Sequence, residues 1–174
     1  MIIKQLRLCD FLTYPGEQFL DFPNADESNL IIVLGPGNSG KTTLIRALKF
    51  LFYGAYSSER PGEAHTLINN RTKAAAKLGG MLTGWLEATI EHNAEEICLR
   101  RTVRAAMVSR DVWAAGDIVF EQVIRDKRGT RFVLDHQGIF QNKIRTLVPE
   151  TLFDAFYFQG EPLDGKLLGG VRAR

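Results

Sequence analysis

Residues 35–42 read Gly-Pro-Gly-Asn-Ser-Gly-Lys-Thr, a run that fits the pattern GxxxxGK[ST] through Gly35, Gly40, Lys41 and Thr42. Nothing else in the chain limits its folding choices as much, because the pattern has chemical meaning only between a strand and a helix. Both flanks suit it. Leu30-Ile31-Ile32-Val33-Leu34 predicts a buried strand, and Thr43 to Tyr53 predicts a helix. Glycines let the backbone curl until consecutive N–H groups face one concavity, and the helix N-terminus adds the positive end of its dipole. That concavity suits phosphate. Lys41 is then expected at the β- and γ-phosphates of a nucleoside triphosphate, with the Thr42 hydroxyl on Mg²⁺. Gly35, Pro36, Gly37, Asn38, Ser39, Gly40 and Thr43 would complete the cradle.

The predicted helix carries Leu44, Ile45, Leu48, Leu51 and Phe52 as one apolar stripe, with Arg46 and Lys49 facing outward and Gly54 closing it. Upstream, Ile2–Phe11 and Glu17–Phe22 predict two strands of a hairpin around the turn at 10–16, followed by a polar loop at 23–28. Ala55–Gly80 has the weakest pattern, a loop with a short surface helix near Arg71–Leu78. From Met81 the period switches to two. Leu82, Gly84, Leu86, Ala88 and Ile90 share one face, His92–Glu95 turns the chain, and Glu96–Val103 returns it. A second hairpin is expected from Ile118–Ile124 and Arg131–Asp135, around a turn at 127–129. A helix is expected over Gln137–Leu147, stopped before Pro149. The order predicts an α+β or α/β fold, with a strand–loop–helix unit, an antiparallel β-subdomain and few helices.

Composition narrows the class further. With 174 residues, 45% hydrophobic and 24% charged, the chain is of ordinary single-domain make-up. Its net charge of +2 announces no polyanionic partner. Arg100, Arg101 and Arg104, then Arg125, Lys127, Arg128 and Arg131, form basic runs that read as solvated strand and turn faces ahead of a DNA contact. Cys9 and Cys98 fall in predicted strands and imply no disulfide framework, and His65, His92 and His136 have no ligand spacing. No apolar run reaches the ~18 residues of a membrane span, so a cytoplasmic protein is expected.

Near the end, Pro149-Glu150-Thr151-Leu152-Phe153-Asp154-Ala155-Phe156-Tyr157-Phe158-Gln159-Gly160-Glu161 predicts an aromatic strand that exits through a Gln-Gly loop. With this order of motifs the chain resembles the N-terminal lobe of an SMC-type ABC ATPase head, the group that holds SMC proteins, RecN and the SMC-like ATPase of double-strand-break repair. The run PETLFDAFYFQGE is also similar to DndD, the SMC-like ATPase of DNA phosphorothioation systems. The resemblance implies that residues 1–165 are that lobe and that 166–174 begin a coiled coil or a truncated tail. It implies ATP and Mg²⁺ as ligands, with Gln159 as the Q-loop glutamine near the metal and the attacking water. It also implies a C-terminal lobe of the same head, a second head joined through ATP, and DNA in the full assembly. No membrane partner is implied.

The chain departs from the family's pattern at three places. Gly37-Asn38 inverts the usual Asn-Gly pair, Leu12 stands where an arginine is common, and Gln159 replaces the aspartate frequent in DndD-like chains. No LSGG-type signature, no apolar run ending in Asp-Glu and no switch histidine is present, so half of a catalytic head is expected. Two other classes compete. Asp135-His136-Gln137-Gly138 spells the DxxG of small GTPases or P-loop kinases, but no NKxD follows and Asn69-Asn70-Arg71-Thr72 is only an echo of one. A nucleotide-sensing module that binds without hydrolysis is the third reading.

Overall fold

The computed structural model describes residues 2–23, 32–37, 39–54, 64–93, 95–110, 112–114, 116–126, 129–134, 145–146 and 149–151. Alternating apolar residues organise these into an antiparallel sheet. Its strands are β1 (Ile2–Phe11), β2 (Tyr14–Asp21), β3 (Met81–His92), β4 (Glu95–Ser109), β5 (Val112–Trp113), β6 (Asp117–Asp126) and β7 (Gly129–Leu134). They lie in the order β2-β1-β3-β4-β6-β7, with β5 paired to the end of β4. The hairpin and the β-subdomain expected as separate pieces are therefore one sheet, joined where β1 pairs with β3 from Ile2↔Glu91 to Cys9↔Trp85. The helices are α1 (Lys41–Tyr53) and the one-turn α2 (Asn70–Ala74), preceded by a 3-10 turn at Ala64–Leu67.

Period-two patterning decides which face of the sheet is covered. Leu6 and Leu8 of β1, Leu86, Ala88 and Ile90 of β3, and Ile97, Leu99, Val103 and Ala105 of β4 are buried on the side that α1 covers. Burial of such side chains contributes about 1.5–3 kcal/mol each before entropy is charged against it. Phe11 and Phe50 stack across the sheet–helix junction at 5.7 Å. The stripe on α1 agrees with the expected one at Leu44, Leu51 and Phe52, which are buried, and differs in taking in Ala47, Phe50 and Tyr53 while Ile45 and Leu48 are only half-buried. Ala47 and Phe50 lie between the apolar positions counted in the sequence, and the small Ala47 lets the helix approach the sheet closely.

Arg101 corrects the reading of the basic run as solvated. It is 4% exposed, because it stands between Leu99 and Val103 on the core face. Its Nε donates to the carbonyl of Leu51 at 2.9 Å, and its guanidinium lies 4.3 Å from the Phe120 ring and 5.6 Å from the Phe50 ring. A buried cation survives only with such partners. It also sits at the C-terminal, negative end of α1. Gly54 ends that helix at φ 73°, donating to the Phe50 carbonyl at 2.9 Å. A Cβ there would fall 3.1 Å from Nη2 of Arg101, so only glycine meets both the left-handed backbone and the crowding.

On the opposite face, Glu87 bridges Arg7 at 3.0 Å and Arg100 at 3.3 Å, and both guanidiniums lie over Trp85, Arg100 at 4.1 Å. Arg7 also pairs with Glu17, whose hydrogen bond, ahead of the Glu87 charge, raises the guanidinium's pKa further. Cys9 on β1 and Cys98 on β4 form no disulfide. Burial, with the charge of Asp10 behind it, pushes the Cys9 thiol up.

Several other boundaries moved. The first hairpin is tighter than expected, since β2 starts at Tyr14 and pairs there with Phe11. β4 runs on to Ser109, where β5 folds back on it. The short surface helix is confined to Asn70–Ala74. The larger correction concerns residues 30–34. Of these, Ile32, Val33 and Leu34 are described, belong to no strand, and are 70%, 45% and 87% exposed. An unbroken apolar run needs neighbours on both faces to become a strand, and no described strand pairs with it. Of the expected helix at 137–147, Arg145 and Thr146 are helical; the rest, the DxxG run and the strand at 156–158 lie outside the described residues.

Truncating Arg101 to Ala should lower the free energy of unfolding by about 3 kcal/mol, from the cavity and the orphaned Leu51 carbonyl. Gly54→Ala should cost more than about 1 kcal/mol at its positive φ. Urea denaturation of both variants checks the pair, and a change under 0.5 kcal/mol at Arg101 would show the burial to be incidental.

Candidate phosphate site

The N-terminus of α1 carries the loop. Gly40 is its N-cap, buried and left-handed at φ 93°, and accepts the first helical bond from Leu44 N at 2.9 Å. A Cβ at Gly40 would fall 2.9 Å from the Tyr14 hydroxyl and 3.1 Å from Thr13 Oγ1, so glycine is needed for space as well as for φ. Among the described residues no side chain caps this end, and the first turn holds no acidic residue. The leading N–H groups of α1 are thus left for an external acceptor.

Lys41 folds back over the loop. Its ammonium donates to the carbonyls of Gly35 and Pro36, each at 2.7 Å, and to Ser39 Oγ at 3.3 Å. Ser39 N closes a turn onto the Pro36 carbonyl at 3.3 Å. At Gly35 a Cβ would meet Ser39 Oγ at 2.7 Å, so a side chain there would fill the curl. The positive charge is therefore held inside the concavity by neutral oxygens that phosphate oxygens can replace. Gly35, Pro36, Gly37, Ser39 and Thr42 are exposed, while Thr43 is half-buried beside a neighbouring cleft. Among the expected residues, the structure brings Gly35, Pro36, Ser39, Gly40 and Lys41 together. Asn38 and Gln159 lie outside the described residues, so the inverted Gly37-Asn38 pair and the Q-loop are not placed.

What holds this loop leaves no signal in the local sequence. Tyr14 donates its hydroxyl to the Gly40 carbonyl at 2.9 Å, and burial raises the phenol's pKa, keeping it a donor at neutral pH. The turn before Tyr14 places two non-glycine residues at positive φ, Asp10 at 47° and Leu12 at 49°. Such conformations cost roughly 1–3 kcal/mol each and persist only where surroundings over-determine them. Here they do. Asn69, 5% exposed, donates Nδ2 to the Leu12 carbonyl at 2.6 Å and accepts from Arg71 N at 2.8 Å. Leu12 N reaches the Leu67 carbonyl, Asn69 N the Asp10 carbonyl, and Thr72 Oγ1 and Gly16 N the Asp10 carboxylate. An asparagine one residue ahead of a helical turn is a capping signal, yet its second task across the hairpin leaves no trace in local sequence.

Between these pieces lies a cleft of about 490 Å³, lined by Leu12, Thr13, Thr43, Arg46, Thr66, Ile68, Asn69, Asn70 and Arg71. It abuts the first turn of α1. Nearby, burial lowers the Lys73 pKa.

Residues 5–144 match AAA_23, an AAA domain family. That stretch takes in the loop, α1, the cleft and the sheet, and the chain belongs to this family, as an SMC-like AAA ATPase region. The family is one of nucleotide-binding ATPases that typically bind ATP, usually with Mg²⁺. No curated protein matches the chain in a sequence search. Among the described residues, no helix is long and apolar enough to cross a membrane.

Asn69→Ala removes two hydrogen bonds and orphans the Leu12 carbonyl, and should cost about 2–3 kcal/mol. Native-state hydrogen exchange at the Leu12 amide should accelerate accordingly. Unchanged protection there would mean that Asn69 does not hold the turn.

Proposed function

We propose that this chain is the ATP-binding half of an SMC-like ATPase head. The observation that carries the reading is the Lys41 ammonium seated inside the loop at an uncapped helix N-terminus. The residues fit a triphosphate. Lys41 would exchange its carbonyl partners for β- and γ-phosphate oxygens, and the loop from Gly35 to Ser39, with the amides of Gly40 to Thr43, would donate to the rest. The exposed Thr42 hydroxyl would hold Mg²⁺, which neutralises charge on the phosphates. Gln159 is assigned the position beside the metal and the attacking water, on the resemblance of Phe158-Gln159-Gly160-Glu161 to a Q-loop.

Hydrolysis needs a carboxylate to orient water and a further donor over the γ-phosphate. The C-terminal lobe of the head would supply the first, and a second head joined through ATP the second. Exposure of Ile32, Val33 and Leu34 beside the loop supports such a lobe, because an apolar run of this kind is a surface that wants a partner. Coupling of the ATP cycle to DNA processing, whether repair, modification or defence, follows from the resemblance, as does the closer likeness to DndD. A GTPase or kinase reading has less support, since DxxG lacks a base-reading partner. A sensing module that never hydrolyses is separated from the head reading by measuring turnover in the presence of a C-terminal head lobe.

The chain should bind MgATP weakly and hydrolyse it negligibly, and Lys41→Ala should weaken binding about 100-fold, the value of a charge-assisted phosphate contact. Calorimetric titration of both forms checks this. Affinity unmoved by Lys41→Ala, or rapid turnover by the chain alone that Lys41→Ala abolishes, would overturn the half-site reading in its binding or its catalytic part respectively.

A further inference from the structure

Three arginines of the sheet, Arg7, Arg100 and Arg104, have acidic partners within the fold. Arg7 and Arg100 share Glu87, and Arg104 lies 3.7 Å from Asp117. Arg46 and Arg71 differ. Both are exposed, both line the cleft beside α1, and among the described residues neither guanidinium has a hydrogen bond or ion pair. Among the described residues, no acidic side chain lines the cleft with them. Thr43 and Arg46 are three residues apart on α1 and so face the same side. Arg71 faces them from α2, anchored through its own N–H to buried Asn69. Leu12 and Ile68 give the cleft an apolar floor, and Thr13, Thr43 and Thr66 add hydroxyls. Two unpaired guanidiniums over hydroxyls form a forked donor set that matches the oxygens of phosphate.

We propose that this cleft is a second phosphate subsite, separate from the glycine loop, in which Arg46 and Arg71 grip a phosphate group. Its volume of about 490 Å³ admits a nucleotide-sized unit. The group has two possible sources with the same chemistry: the inner phosphate of a nucleotide whose outer phosphates lie on the loop, or a backbone phosphate of a nucleic-acid strand. The subsite does not rest on Lys41, so it stands or falls apart from the nucleotide reading. Contact at Arg71 would also reach the loop. Its N–H holds Asn69, Asn69 holds the Leu12 turn, and that turn presents Tyr14 to Gly40.

Inorganic pyrophosphate titrated into the Lys41→Ala chain tests the subsite directly. Binding should persist there, fall about 10-fold or more when Arg46→Ala and Arg71→Ala are added, and be only partly restored by the Arg→Lys pair, which keeps the charge and loses the fork. Both positions are exposed, so thermal unfolding should be unchanged and a folding defect is readily excluded. MgATP and a single-stranded oligodeoxynucleotide, each titrated into the chain with Lys41 intact, separate the sources. Loss of ATP affinity alone in the double-alanine variant assigns the phosphate to the nucleotide. Loss of oligonucleotide affinity with a shallower salt dependence assigns it to a strand. Pyrophosphate binding lost with Lys41→Ala alone, or all three probes binding the double-alanine variant within twofold of its parent, would overturn the proposal.

Discussion

Everything functional in this chain depends on α1 being pinned at both ends to one antiparallel sheet. At its N-terminus the Tyr14 hydroxyl holds the Gly40 carbonyl, and at its C-terminus Arg101 holds the Leu51 carbonyl. Leu44, Ala47, Phe50 and Leu51 fill the space between. A helix so short is marginal by itself. Tertiary packing therefore fixes both its existence and its axial position, and the axial position is what places the glycine loop at 35–42.

Strain is concentrated where this placement matters. Asp10 and Leu12 carry left-handed backbones within the turn that delivers Tyr14, and buried Asn69 with Thr72 satisfies the groups that the turn leaves open. The loop itself is held differently. It has no side-chain cap, and Lys41 occupies its concavity through exchangeable bonds to Gly35, Pro36 and Ser39. Rigid support beneath an exchangeable lining is the arrangement that binding of a multiply charged anion requires. The arginines follow the same division, with Arg101 committed to the scaffold and Arg46 and Arg71 left uncommitted at the cleft.

Much of this was legible in the sequence, and the remainder was illegible for identifiable reasons. β3 was plain because Gly84, Leu86, Ala88 and Ile90 alternate with polar residues. The close of α1 at Gly54 and the loop at 35–42 were plain because glycine marks both. Arg101 read as solvent-facing, since adjacent Arg100 conceals the alternation; the Phe50 and Phe120 rings and the Leu51 carbonyl help explain its burial, and the Phe50 ring and the Leu51 carbonyl lie about 50 residues away in sequence. Ile32–Leu34 read as a strand because hydrophobicity does not say whether a neighbour exists to pair with. Asn69 and Tyr14 act across the β1–β2 turn, through contacts 57 and 26 residues apart, a range at which no local pattern operates.

We infer that the loop at the anchored end of α1 is a polyphosphate site, and backbone amide NMR of the chain titrated with MgATP is the decisive check. Saturable shifts should appear together at Gly35, Gly40, Lys41, Thr42 and Thr43, with Tyr14 following through its bond to Gly40, while Trp85 and Glu87 on the opposite face stay still. Shifts confined to that opposite face, or none at the loop at millimolar MgATP, would contradict it.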